Sequence, residues 1–190
     1  LQQKLEGRLN SEEQEFFQYA ILGAKKMDTM LTGMTRYADI HSNIKTEPVD
    51  LKEVTNVAIQ QLSAKIEETN AFFFIPSMPV LKANRGQLIV LFRNLFQNSL
   101  NNACAAPVKI EVSWVEKADF FEFTVKDNGR GISDADTNKY LRLFKKVNIM
   151  SDGAGMGLAV CKKIVLNHGG SINISNNYST GLQVNFTLSR

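Results

Sequence analysis

Three groups of residues in this chain have types and spacings that chemistry could use. The first is Asn94, Asn98 and Asn102, with Asn101 beside them. Spaced four apart, the three share one face of a helix. Asparagine is a poor helix former, and its amide needs partners when buried. Stability alone would not select such a row. It is either the solvated face of an amphipathic helix or a set of amide carbonyls turned toward a cation or polar ligand. A hard ion such as Mg²⁺ takes oxygen ligands and keeps several waters, so one amide oxygen plus ligand phosphates would suffice. The second group is Asp127-Asn128-Gly129-Arg130-Gly131. Gly129 and Gly131 permit approaches that a Cβ would block. Asp127 directly follows a strand-like run, and an ionised carboxylate only accepts hydrogen bonds, which suits an amino donor such as that of adenine. The same letters would also make a plain hairpin turn. The third group is Gly153, Gly155 and Gly157, just before Leu158. A glycine-rich loop opening a helix offers free N–H groups and a favourable dipole to phosphates. Its spacing is neither that of a dinucleotide-binding turn nor that of a P-loop, which would end in Gly-Lys-Ser/Thr.

Elements must position these groups. Asn84 can cap a helix running to about Ala103, which carries the asparagine row. Two alternating runs, 108–115 and 120–126, suggest a hairpin delivering Asp127. Tyr140, Leu141, Leu143 and Phe144 suggest a short helix, and 158–167 a further one ending at Gly169-Gly170. Strands are expected at 71–75, 171–175 and 182–188. Upstream, Asp50 with Glu53, and Val49 with Val54, mark the start of a helix over 51–68. Residues 42–49 break the pattern at Pro48 and read as a linker. Before them, Ser11-Glu12-Glu13-Gln14 reads as a capping box opening a helix over 11–41. Phe17, Ala20, Ala24, Met27, Leu31, Met34 and Ala38 form a three-four seam on it, expected to meet another helix.

The chain therefore divides into a stalk (1–41), a linker (42–49) and a domain (50–190) of α+β class, with one face of a mixed sheet covered by helices. At 190 residues and 44% apolar content it can build its core without staples. Twenty-two basic residues against nineteen acidic ones give +3, with no basic run longer than two, so nucleic acid is not expected as a partner. No apolar stretch reaches the ~18 residues of a membrane span. Cys104 and Cys161 sit in apolar helical patterns, are expected reduced and buried, and suggest the cytoplasm. The first residue is Leu, and the chain reads as part of something longer. Its only histidines are His41 and His168.

The order of the motifs is more specific than any one of them. An asparagine-bearing helix, a hairpin, DxGxG, then GxGxG before a helix resembles the ATP-binding fold shared by gyrase, Hsp90, MutL and the sensor histidine kinases. LFRNLFQNSLNNA (91–103) looks like the kinases' N box, DNGRGI (127–132) their G1 box and GAGMGLAV (153–160) their G2 box. Tyr140 to Lys146 resembles the F box, with Phe144 in its second aromatic place. The stalk is similar to helix two, and the end of helix one, of the dimerisation hairpin in phytochrome-like kinases. The resemblance implies a Bergerat fold, a two-layer α/β sandwich preceded by a long helix of a dimerisation bundle. It implies that Asp127 binds the adenine amino group, with Gly129 and Gly131 admitting the base. Asn98 would ligate Mg²⁺, assisted by Asn94, with Asn102 completing the row. Gly153, Gly155, Gly157 and Leu158 would shape the lid and the phosphate-facing helix start, and Lys146 would approach the phosphates.

The activity so implied is transfer of the ATP γ-phosphate to a histidine on a dimerisation helix, of the same or a sister protomer in a homodimer. Relay to a response regulator receiver domain would follow. In hydrolysing relatives a glutamate stands where this chain has Asn94, and an amide cannot take a proton from attacking water. That argues for transfer and against free ATP hydrolysis. The acceptor histidine of the family lies upstream on helix one, and neither His41 nor His168 matches it. Asn101 and Asn102 replace a basic and an aromatic residue after the N-box asparagine, and Ser99 replaces an alanine. A non-catalytic scaffold on the same fold is the alternative, and a serine kinase of the anti-sigma type a third.

Overall fold

Asn10, rather than Ser11, opens the first helix. Its side chain accepts from the Glu13 amide at 2.9 Å, and the Glu13 carboxylate accepts from the Asn10 amide at 2.8 Å. The capping box thus lies one residue earlier than the Ser11 reading. The computed structural model describes residues 10–41, 44–104, 107–132, 137–145, 155–176 and 181–190. Helix α1, Ser11–Ala38, ends with Asp39 as its cap, three residues short of the expected end. Its seam is uncovered within one chain: Met27, Leu31 and Met34 are 68%, 64% and 52% exposed.

The linker does not stay irregular. Strand β1, Glu47–Asp50, pairs antiparallel with β3, Val80–Ala83, placing Val49 opposite Leu81. Pro48 is tolerated because this two-stranded sheet has only edges. Burial of Val49 and Leu81 rewards the pairing. The strand at 80–83 was not expected, because four residues between Pro79 and Asn84 are too short to show alternation. Asp50 caps α2, Leu51–Gln60, through the Lys52 amide. The expected 51–68 helix breaks at Gln61-Leu62 and resumes as α3, Ser63–Thr69. Leu62 leaves helical geometry there with its side chain in the core.

The remaining strands form one mixed sheet. They are β2, Phe72–Phe74; β4, Lys109–Glu116; β5, Phe120–Asp127; β6, Ile172–Asn176; and β7, Leu182–Ser189, in the order β2-β4-β5-β7-β6. Only β2 and β4 run parallel. Helix α4, Arg85–Asn101, is capped by Asn84 and packs against α2 and α5, Gly157–Asn167. Leu88, Leu91, Phe92, Leu95, Phe96, Ser99 and Leu100 form its buried face. The Phe92 ring lies 6.0 to 6.4 Å from those of Phe186 and Phe123 on the sheet. This registers α4 by the edges of aromatic rings and leaves Asn94 and Asn98 half-buried beside the core, with Asn102 buried at the helix end. The result is the expected α+β architecture, with helices on one face of a mixed sheet. Tyr140 and Leu141 lie in a single 3₁₀ turn, Thr137–Leu141, rather than an α-helix. Cys161 is buried, but Cys104 is exposed, because α4 ends before reaching it.

The end of the stalk is docked on α4 and α5. Lys163 donates to the Tyr37 carbonyl at 2.8 Å, with its ammonium 4.4 Å from the Tyr37 ring centroid. The His41 carbonyl accepts from Gln87 and Asn167, and the Lys45 carbonyl accepts from Asn84. Ile40 is buried at this junction.

Candidate functional site

Asp127 ends β5 with its carboxylate turned inward, 5% exposed. One oxygen, Oδ1, accepts from the amides of Gly129 and Leu182, each at 2.9 Å. The other, Oδ2, accepts from the Ser99 hydroxyl at 2.8 Å. A carboxylate has about four lone-pair positions. Three are filled, and the fourth, on Oδ2, can accept one more donor. Burial pushes the Asp127 carboxyl above its ordinary range, and the donors from Leu182, Gly129 and Ser99 pull it back only in part. This is an oriented acceptor with one vacancy, in a place where charge is costly.

The loop after it is held by its own residues. Asn128 accepts from the Lys109 amide and donates to the Pro107 carbonyl, so its side chain is structural. Asn176 accepts from the Ile132 amide at 2.6 Å. Gly129 runs against α4: a Cβ there would stand 2.6 Å from the Asn102 carbonyl oxygen, which accepts from the Arg130 amide. Gly131 has φ +67°, in the left-handed region. Gly129 thus lets the loop lie on the end of α4, and Gly131 turns it against Asn176 and Gly181.

A cleft of about 1200 Å³ starts beside that contact. Asn94, Asn98, Asn101 and Asn102 from α4 line it, with Gly155, Gly157 and Leu158 at the start of α5 opposite. A Cβ on Gly157 would lie 4.0 Å from that of Asn94, which brings the glycine-rich start against the asparagine row. Asn94 and Asn98 are half-buried. The Asn102 amide is already engaged with the Asn98 carbonyl at 2.7 Å and its side-chain oxygen at 3.2 Å, so Asn102 closes the helix end and steadies Asn98. The stalk supplies a third wall, including Asp28, Thr32 and Arg36. The lining carries five bases, Arg36, Lys45, Lys65, Arg93 and Lys145, against two acids, Asp28 and Asp39. Lys65 is paired with Glu68 at 2.9 Å, and the remaining excess of two positive charges favours a polyanion.

The sequence-derived residues are therefore only partly gathered. Asn94, Asn98, Asn102, Gly155, Gly157 and Leu158 share the cleft. Asp127, Gly129 and Gly131 do not line it: Gly129 lies against the Asn102 backbone, which does, and Gly131 lies against Asn176 and Gly181. Phe144 is 43% exposed and does not line the cleft. Lys146 and Gly153 lie outside the described residues. Ser99 is a site residue that the motif does not mark; the sequence signal is a hydroxyl among apolar positions, which requires a partner. No group of three or more His, Cys, Asp or Glu side chains could hold a metal among the described residues. His168 is 7% exposed and neutral in character: Nδ1 contacts the Ile164 carbonyl at 2.8 Å and Nε2 accepts from the Asn84 amide at 3.1 Å. No helix among the described residues is long and apolar enough to cross a membrane.

The family model for histidine kinase-, DNA gyrase B- and HSP90-like ATPases matches residues 83–190. The chain belongs to that family. It is 29% identical to the phytochrome-like protein Cph1 of Synechocystis sp. over 99% of its own length and 26% of that protein. It spans about a quarter of the length of the phytochrome relatives it matches. Its fold is shared with histidine kinase ThkA, solved in complex with response regulator protein TrrA (TM-score 0.73, 18% identity, 98% of this chain and 55% of that one). Full-length ShkA, solved in complex with AMPPNP, is also similar (TM-score 0.71, 18% identity, 97% of this chain and 40% of that one). The kind within the family is the histidine kinase catalytic domain.

Proposed function

We propose that this chain is the ATP-binding catalytic region of a two-component sensor histidine kinase, with part of its dimerisation stalk at 1–41, a linker at 42–49 and the catalytic domain at 50–190. It transfers the γ-phosphoryl group of ATP to a histidine nitrogen on a dimerisation helix. The P–O bond to the ADP leaving group breaks and a P–N bond forms. The phosphoryl group then passes to a response regulator aspartate, in the cytoplasm.

The observation that carries this reading is the single vacant lone pair on Asp127, whose loop lies against Asn102 at the edge of a positively charged cleft. An adenine amino group fits that vacancy, and a triphosphate fits the charge. Asn98 lines the cleft beside Asn94, and its amide oxygen, which accepts from Asn102 at 3.2 Å, has a second lone pair, so a Mg²⁺ ion held otherwise by phosphates and water fits the donor set. Bound there, the ion would neutralise charge on the phosphates. Asn94 would assist Asn98, and Gly153, Gly155, Gly157 and Leu158 would give the phosphates a helix start. Lys146 would approach those phosphates. Phosphoryl transfer asks chiefly for such positioning and charge stabilisation. ThkA in complex with TrrA and ShkA in complex with AMPPNP support the partner and the nucleotide.

Calorimetric titration of ADP and ATP into the wild type and Asp127→Asn tests the reading. Asparagine keeps an acceptor for the two backbone amides but points an NH₂ group where the adenine amine would donate. Affinity is expected to fall at least about tenfold with the fold retained. Equal, tight binding by both proteins would end the adenine assignment. Radiolabel from ATP is expected on neither His41 nor His168.

A further inference from the structure

Arg93 is the residue of the cleft that the reading above leaves unused. It precedes Asn94 on α4, and its Nε is buried with no hydrogen-bond partner among the described residues. It lines the cleft from the α4 side, and Arg36 lines it from the stalk. Neither guanidinium has an ion-pair partner among the described residues. Burial holds the Arg93 guanidinium below its ordinary range, and the like charge of Arg36 adds to that. Buried cations are ordinarily paired. Arg93, with its buried unpartnered Nε, and the exposed Arg36 line one cavity from different walls, and neither is ion-paired to Asp28 or Asp39 in the same lining, which leaves a place for an anion.

We propose that Arg93 and Arg36 together bind the terminal phosphate of a nucleoside triphosphate, bridging the catalytic domain to the stalk. The proposal rests on the ATP-binding reading. The adenine end is set by Asp127, whose loop touches Asn102. Asn102 to Arg93 is nine residues of helix, about 14 Å along its axis. The row passes Asn98 and then Asn94, which packs near Gly157. A nucleotide laid along α4 therefore carries its inner phosphates past the glycine-rich start and its last phosphate toward Arg93. Arginine's planar fork suits phosphate oxygens in pairs. With a diphosphate the bridge is unfilled, and the two arginines repel. The site thus distinguishes ATP from ADP and couples that difference to the seating of the stalk.

The test is calorimetric titration of the chain with Mg²⁺ and either ADP or the β,γ-imido analogue of ATP. Wild type is compared with Arg93→Gln, Arg36→Gln and the double variant. The triphosphate is expected to lose about tenfold or more in affinity in each single variant, the diphosphate less than about twofold. The double variant should be little worse than either single one, because one bridge is lost once. Without nucleotide, Arg93→Gln should melt no lower than wild type, since it removes an unpaired cation beside a like charge. Should Arg93→Gln fail to fold, Arg93→Lys, which keeps charge and loses the fork, takes its place. Equal losses for both nucleotides, no loss for either, or full discrimination in Arg36→Gln would each overturn the bridge. If wild type binds neither nucleotide, the ATP reading falls and this proposal with it. Binding with unaltered discrimination in the variants removes this proposal alone.

Discussion

Ser99 shows how much one hydroxyl can decide. It sits on the buried face of α4 and bonds the same oxygen of Asp127 that has the vacancy. Ser99→Ala would free Oδ2 to rotate and leave the buried carboxylate with its two backbone donors. A hydrogen bond to a charged group is worth about 1.5–3 kcal/mol. A loss near the lower end is expected in urea unfolding, with ADP affinity reduced several-fold. Unchanged stability and affinity would show that the two backbone amides orient Asp127 unaided. Protonation reports on the same residue. An adenine amine needs the ionised carboxylate, and burial raises the Asp127 carboxyl above its ordinary 3.8. Nucleotide affinity should therefore begin to fall, as pH drops, before 3.8 is reached. Stability shifts the other way there, because the native state holds its proton more tightly than the unfolded chain: this contribution is present below 3.8 and lost as pH rises through the raised value. His168 has the opposite sign. Burial lowers its imidazole below the ordinary 6.5, so the unfolded chain binds the proton first. Its contribution is whole above 6.5 and lost as pH falls from there through the lowered value, when a proton on Nε2 would break the bond from the Asn84 amide. His168→Gln should flatten the stability profile in that window, as measured by melting temperature against pH.

At the scale of elements, the start of β7 and the end of β5 are locked together. Gly181 has φ +106°, and a Cβ there would run into the Asp127 carbonyl. Gly181→Ala should cost about 3 kcal/mol or more by strain and displacement of β7. Because the Leu182 amide bonds Asp127, nucleotide affinity should fall with stability, unlike in Asp127→Asn. A variant as stable as wild type would contradict the close approach. The sequence already carried the order of elements here, because α4, α5 and the β4–β5 hairpin have strong periodicity and clear caps. It also carried the row on α4, since four-residue spacing leaves no other geometry. What it did not carry depends on distant partners. Strand β1 hid in the linker because its pairing partner, β3, is itself only four residues long. Cys104 is exposed against expectation because an apolar neighbourhood in sequence says nothing of where α4 stops. Ser99, Asn176 and the Leu182 amide escaped because each acts on a residue at least 28 positions away.

At the scale of the molecule, the stalk is held at one end and bare along its length. Lys163, Gln87, Asn167 and Asn84 fasten its last turn and the following residues to the catalytic domain. Its earlier turns present Phe16, Tyr19, Leu22, Met27, Leu31 and Met34, all more than half exposed. Exposed apolar side chains of this number are the mark of an interface, and Met27, Leu31 and Met34 among them belong to the three-four seam, which fits another helix rather than a sheet. Two copies can meet along it, but without the rest of the bundle they bury only one seam per helix, so the association should be weak and concentration-dependent. Sedimentation equilibrium over a hundredfold range of concentration, on the order of micromolar upward, should show a monomer passing to dimer. Leu31→Glu with Met34→Glu should hold the chain monomeric, because each carboxylate would have to be desolvated in the seam. Neither position lines the cleft, so ADP affinity should be unaltered in that variant. A wild-type chain that stays monomeric throughout would mean that the seam closes only on helix one. A dimer that survives both glutamates would place the contact elsewhere, and the exposed Phe72 and Phe74 of edge strand β2 would be the next surface to substitute.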